Sequence, residues 1–193
     1  LEAPAEHFTV YTAVLLTATA EDGEASITDS EGAVTYYDTL TAAVTAVQGI
    51  PNSTLTLLKD VSTTKPLHVN SGTFAIDLNG KIWSSTAMIA IHLSGSANVT
   101  FKDSGSSGKI ISTSFEAVDV DTGATVRFEG GTYEGGTQGS IYTFLGNVGD
   151  LLAEGYAYKN SGDGAWVTDM SVKQISNVTV QAIPIKTTAQ PED

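Results

Sequence analysis

The sequence predicts an all-β fold, a single-stranded right-handed parallel β-helix (solenoid) with an N-terminal capping helix and a small meander. Two observations carry that expectation. Three short apolar segments are each introduced by the same kind of small-residue turn. Ser71-Gly72-Thr73 precedes Phe74-Ala75-Ile76, Ser94-Gly95-Ser96-Ala97 precedes Val99-Thr100-Phe101, and Asp121-Thr122-Gly123-Ala124 precedes Val126-Arg127-Phe128. They recur 25 residues apart from Phe74 to Val99 and 27 apart from Val99 to Val126, a period that reads as coils of a solenoid. Second, the hairpin dipeptide Asn-Gly occurs once, at Asn79-Gly80, whereas a two-layer antiparallel sandwich needs such turns between neighbouring strands.

Taken in order, residues 1–7 are a lead-in and residues 7–16, with Phe8, Val10, Tyr11, Val14 and Leu16, alternate as a strand would. Residues 25–27 and 33–36, split by Ser30-Glu31-Gly32, predict a short meander. Leu40, Ala43, Val44 and Val47 then fall at i, i+3, i+4 and i+7, one apolar stripe of a helix with Asp38 as the expected N-cap. Gly49 should close this helix and Pro51 forbids its resumption. So short a helix is marginal alone and is expected to lay its stripe on the open end of the solenoid.

From Ser53 onward the pattern reads as coils. One strand column holds Leu55/Leu57, Phe74/Ile76, Val99/Phe101 and Val126/Phe128. A second holds Ile82, Ile110 and Tyr133, and a third holds Leu67/Val69, Ile91/Leu93, Val118/Val120 and Tyr142/Phe144. Like positions would stack about 4.8 Å apart as apolar ladders. The step from Leu55 to Phe74 is only 19 residues, which predicts a first coil without its middle strand. After Gly149, residues 150–155 read as one helical turn, 156–159 and 165–167 as a hairpin, and Val178-Thr179-Val180 as a last strand. The expected organisation is therefore 1–50 N-terminal strands and capping helix, 51–147 coils, 148–183 C-terminal cap, and 184–193 a linker-like tail.

Composition bounds the function. Hydrophobic residues are 41% and charged residues 16%, as suits a folded chain of short strands and many corners. A net charge of −13 with nine Lys and Arg argues against nucleic acid and against an anionic membrane surface. The absence of cysteine excludes zinc-thiolate sites, disulfides and a cysteine nucleophile, and fits an exported protein of a Gram-positive bacterium. The apolar run 11–20 is interrupted by Thr12, Thr17 and Thr19 and is too short to span a bilayer. The chain opens on Leu1 and shows no signal peptide, so it is expected to be a piece of a longer polypeptide.

The segments Thr54-Leu55-Thr56-Leu57-Leu58-Lys59-Asp60-Val61, Phe74-Ala75-Ile76-Asp77-Leu78-Asn79-Gly80-Lys81, Thr125-Val126-Arg127-Phe128-Glu129-Gly130-Gly131-Thr132-Tyr133 and Leu151-Leu152-Ala153-Glu154-Gly155-Tyr156-Ala157-Tyr158 resemble the pectate-lyase-like β-helix modules of Firmicutes cell-surface proteins. The resemblance covers residues 36–180. It implies secretion, extracellular or wall-associated display beside other modules of the same polypeptide, and a stalk or binding role toward an extracellular glycan or host surface ligand. It does not imply a chemistry, because one fold hosts many functions.

Four constellations could carry chemistry. Asp77, Lys102 and Glu129 share an outward row, either a solvated charge ladder or a lyase-like cluster of acids for calcium and a basic group for proton abstraction. With one lysine between two acids, pairing would keep Lys102 protonated. His68, His92 and Asp119 share another outward row and have the chemistry of a divalent metal site. Asp119 with Asp121, or Glu129 with Asp103, could supply a glycosidase's paired carboxylates. Trp83, Tyr133 and Tyr142 lead a set of aromatics that could stack on sugar faces. No cofactor is expected, calcium being the alternative. The sequence therefore predicts a non-catalytic structural or ligand-presenting, adhesin-like module, with a polysaccharide lyase or glycoside hydrolase domain as the alternative.

Overall fold

A computed structural model describes residues 19–20, 22–136, 139–159, 166–167 and 169–174. The strand expected at 7–16, the loop 160–164, the strand Val178-Thr179-Val180 and the tail lie outside them. Two antiparallel strands, β1 (Ala25–Thr28) and β2 (Val34–Tyr37), form the expected meander and lead into helix α1 (Leu40–Val47). The chain then winds through four coils of three strands each. The first coil is β3 (Ser53–Leu57), β4 (Val61–Thr63) and β5 (Leu67–Val69), and the second is β6 (Thr73–Asp77), β7 (Ile82–Ser85) and β8 (Ile91–Leu93). The third is β9 (Asn98–Lys102), β10 (Lys109–Ser112) and β11 (Val118–Val120), and the fourth is β12 (Thr125–Phe128), β13 (Thr132–Glu134) and β14 (Ile141–Thr143). Strands β15 (Tyr156–Lys159), β16 (Trp166–Val167) and β17 (Asp169–Gln174) follow a 3-10 turn at Val148–Leu151.

Stacking the coils makes three sheets. The first runs β12-β9-β6-β3-β1-β2, the second β15-β17-β13-β10-β7-β4, and the third β16-β14-β11-β8-β5. All coil-to-coil pairings are parallel. The protein is thus a parallel β-solenoid with one helix near its N-terminus. Inside, Leu55, Ile76, Phe101 and Phe128 stand in one ladder and Phe74, Val99 and Val126 in the next, all buried. Three aromatic rings meet at the third and fourth coils. Phe101 and Phe128 stack at 5.3 Å, and Tyr133 meets Phe128 edge-on at 4.9 Å.

Helix α1 covers the N-terminal end with Leu40, Ala43, Val44 and Val47 buried, as its stripe predicts. Its N-cap is Thr39 rather than Asp38. Thr39 is extended and its Oγ1 accepts the Ala42 N–H at 3.2 Å, while Glu24 Oε2 accepts the Leu40 N–H at 2.7 Å. The capping oxygen must sit one residue before the first helical turn, and the meander places Glu24 to complete it. At the other end Gln48, not Gly49, is the C-cap. Its amide donates to the Val44 and His68 carbonyls and accepts the Asn70 N–H, which ties the helix to the first coil.

Several registers depart from expectation. Ser53 lies opposite Phe74 and Leu55 opposite Ile76, so the first step is two residues longer than anticipated. A two-residue shift preserves the inward face because side chains alternate with period two. The first coil does have a middle strand, since β4 pairs with β7. In that sheet Val61, Trp83, Ile110 and Tyr133 are in line and Ile82 points out, 37% exposed. Buried Trp83 donates its indole N–H to Thr63 Oγ1 at 3.0 Å, which satisfies both polar groups. In the third sheet Ile141 and Thr143 face in beside Val118 and Val120, and Tyr142 and Phe144 therefore face out. The expected hairpin at 156–167 does not form: β15 pairs with β17, and β16 with β14, all antiparallel. Covering the last-coil edges of two sheets satisfies more backbone than an isolated hairpin could. The helical turn begins at Val148, with the Asn147 side chain accepting the Gly149 N–H at 2.8 Å.

Candidate functional site

The corner between the first and second sheets absorbs one expected constellation. Asp77 and Lys102 are opposite each other in β6 and β9, but Asp77 is buried and its Oδ1 accepts the Asn79 N–H, the Ser104 N–H and the Ser104 hydroxyl. Neither Lys102 nor Glu129 pairs with it; the ion pairs among the described residues are His92–Asp119 and Lys109–Glu134. The exposed charge ladder is therefore corrected to a corner pinned by carboxylates. Asp103 does the same work one coil on, accepting the Gly80 and Gly108 N–H groups at 2.7 Å each. Asp121 closes its own turn through the Thr122 N–H at 2.6 Å.

Two of the three expected sugar-stacking aromatics are interior. Trp83 and Tyr133 are fully buried, and the Tyr133 hydroxyl donates to the Gly130 carbonyl at 2.9 Å. Burial, with the nearby Asp103 charge adding to it, pushes the Tyr133 phenol well above its ordinary pKa of 10.0. A one-residue difference in register explains Trp83, because it exchanges the faces of Ile82 and Trp83.

The outer face of the third sheet is where chemistry-bearing side chains converge. Parallel pairing aligns His68 with His92, His92 with Asp119, and Asp119 with Tyr142. His92 Nδ1 lies 2.9 Å from Asp119 Oδ2, and the two imidazoles meet at 5.6 Å and 63°. Asp119 Oδ1 is buried and has no hydrogen-bond partner. Tyr142 and Phe144 continue the row. Their rings meet edge-on at 4.7 Å and 82°, and Phe144 is 57% exposed. Among the described residues no three His, Cys, Asp or Glu side chains converge as a ligand set for one metal ion. The row expected at His68, His92 and Asp119 exists, with the carboxylate bonded to one imidazole rather than facing a shared centre.

Glu116, just before β11, is a buried carboxyl that the sequence did not single out. It is 8% exposed, and desolvation raises its carboxyl above the usual 4.5; its own backbone N–H works against this and the Asp119 charge adds to it. The available signal is its place directly before the apolar run Ala117-Val118, which supplies the burial. A carboxyl whose folded pKa is raised favours folding in its protonated form, and that contribution is lost as pH rises through the folded pKa. Glu116→Gln is therefore expected to melt higher than the parent at neutral pH, with the gap closing as pH falls below the ordinary glutamate range. Thermal melts across that range check it; a parent more stable than the variant at neutral pH contradicts it.

Elsewhere the surface of the described residues includes the following clefts. One of 310 Å³ lies between the start of α1 and the β4–β5 corner, where Glu24 is occupied by the helix N-terminus. The other, of 280 Å³, is an open hydroxyl-lined groove over Thr54, Ala75 and Thr100. Among the described residues no helix is long and apolar enough to cross a membrane. Comparison of the chain with protein-family models, with curated proteins and with solved structures finds no match.

Proposed function

We propose that the chain is a non-catalytic, ligand-presenting module that binds an extracellular glycan on the outer face of its third sheet. The observation that carries this reading is the Tyr142–Phe144 pair beside Asp119 and His92. An exposed ring offers a flat apolar surface to the C–H face of a sugar, and the neighbouring imidazole offers a partner to its hydroxyls. Asp77 supports the non-catalytic half of the proposal, since one of its oxygens already takes three donors in a structural corner. The resemblance to pectate-lyase-like modules of Gram-positive surface proteins agrees with such a role, and with display outside the cell as part of a longer polypeptide. No cofactor is needed for it.

A glycan array followed by calorimetric titration tests the reading. Phe144→Ala is expected to weaken binding roughly tenfold, the scale of one aromatic contact, with no change in melting temperature. Incubation with the bound glycan, with and without calcium, should release neither reducing ends nor unsaturated products. Turnover that disappears in Asp77→Ala or Lys102→Ala would instead establish a carbohydrate-active enzyme.

A further inference from the structure

We infer that His68 and His92 form a two-imidazole site for a divalent transition-metal ion, with Asp119 fixing His92 from behind. Three features of the third sheet carry this.

The first is the distance between the rings. A metal–nitrogen bond of about 2.0–2.1 Å places an imidazole centroid roughly 3.2 Å from the ion. Centroids 5.6 Å apart then subtend about 120° at a shared ion, close to a tetrahedral opening. The parallel register of β5 and β8 sets this spacing, because His68 and His92 are directly opposed and both point away from the core.

The second is the tautomer. Asp119 Oδ2 at 2.9 Å from His92 Nδ1 favours the proton on that nitrogen, which leaves the lone pair on Nε2, the nitrogen Asp119 does not hold. A carboxylate behind a ligating histidine is the arrangement that orients the ring and raises its basicity. Edge-on packing of two imidazoles would not need it.

The third is charge. Asp119 is buried with its second oxygen unpartnered. A dication on the imidazole that Asp119 holds offsets the charge of that buried carboxylate, in a chain of net charge −13. With two protein ligands the ion keeps open positions for water or for the carboxylate of a bound molecule. Imidazole ligands select zinc, copper or nickel over calcium, which demands oxygen.

Titration calorimetry with zinc chloride near neutral pH tests the site. One ion per chain is expected, with binding lost in His68→Ala and in His92→Ala. It should be about 10–100-fold weaker in Asp119→Asn and unchanged in His7→Ala, the chain's third histidine. His68 is exposed, so His68→Ala should melt with the parent, whereas His92→Ala removes the one partner of buried Asp119 and should melt lower. Should Asp119→Asn unfold, the histidine variants still decide the matter. Absence of saturable zinc binding, or binding that survives both histidine substitutions, overturns the inference.

Discussion

Replacing Phe101 with Ala is expected to remove about 3–5 kcal/mol of unfolding free energy, at the upper end for a buried aromatic. Phe101 is fully buried, stacks on Phe128 at 5.3 Å and 16°, and meets Tyr133 edge-on at 6.0 Å. The cost depends on whether the space left behind can close. Here β9 is hydrogen-bonded to β6 on one side and β12 on the other, so its backbone cannot settle inward without breaking a ladder. The cavity should persist and carry its full penalty. Urea unfolding measures this directly; a loss below about 1 kcal/mol would mean that the interior relaxes. Phe144→Ala, on the outer face, should stay within about 0.5 kcal/mol of the parent.

Gly95→Ala should be nearly as damaging, for a reason seated in the backbone. Gly95 has φ +60, and a Cβ there would lie 2.6 Å from the Asn70 carbonyl oxygen. That carbonyl already accepts the Ser96 N–H at 3.0 Å, so it cannot move away without losing the bond that closes the corner. A side chain in this conformation costs about 1–3 kcal/mol, and the contact adds to it. Gly32 supplies the control, with φ +88 and nothing within 4 Å of its would-be Cβ. Gly32→Ala should carry the conformational cost alone. If the two variants unfold at the same urea concentration, the stacked corner is not tight.

The solenoid was legible because its corners and ladders repeat. Gly72, Gly95 and Gly123 all take positive φ at the turn that introduces the first sheet, and the segments after them face inward on the anticipated residues. The row His68, His92 and Asp119 was likewise readable from alternation. What escaped the sequence were choices that a period of two cannot make. Leu55 and Leu57 fit the ladder equally well two residues earlier or later, and buried Ser53, whose hydroxyl donates to the Ile50 carbonyl at 2.6 Å, occupies the end position. Ile82 and Trp83 are adjacent and both apolar, so only the corner could choose between them. Asp60 makes that choice by accepting the Ile82 N–H at 2.8 Å. Strand β4 was hidden because one of its two inward residues is Thr63, apolar in role only through its bond to Trp83. The Ile141–Phe144 segment offers apolar residues to both faces, which concealed the exposed pair on which the proposed binding surface depends.

Each end of the stack reverses chain direction in part: β1 runs against β3, and β17 and β16 run against β13 and β14, while β4, β5 and β12 are edge strands among the described residues. A same-direction column can be extended without limit, since every added layer presents the template for another, whereas an opposed terminal layer halts that propagation. Length is thus set at the two boundaries and not by the middle. Duplicating residues 98–124 should lengthen the molecule by about 4.8 Å and leave both closing layers seated as before. The architecture behaves as a ruler whose graduations can be added singly between its two end pieces.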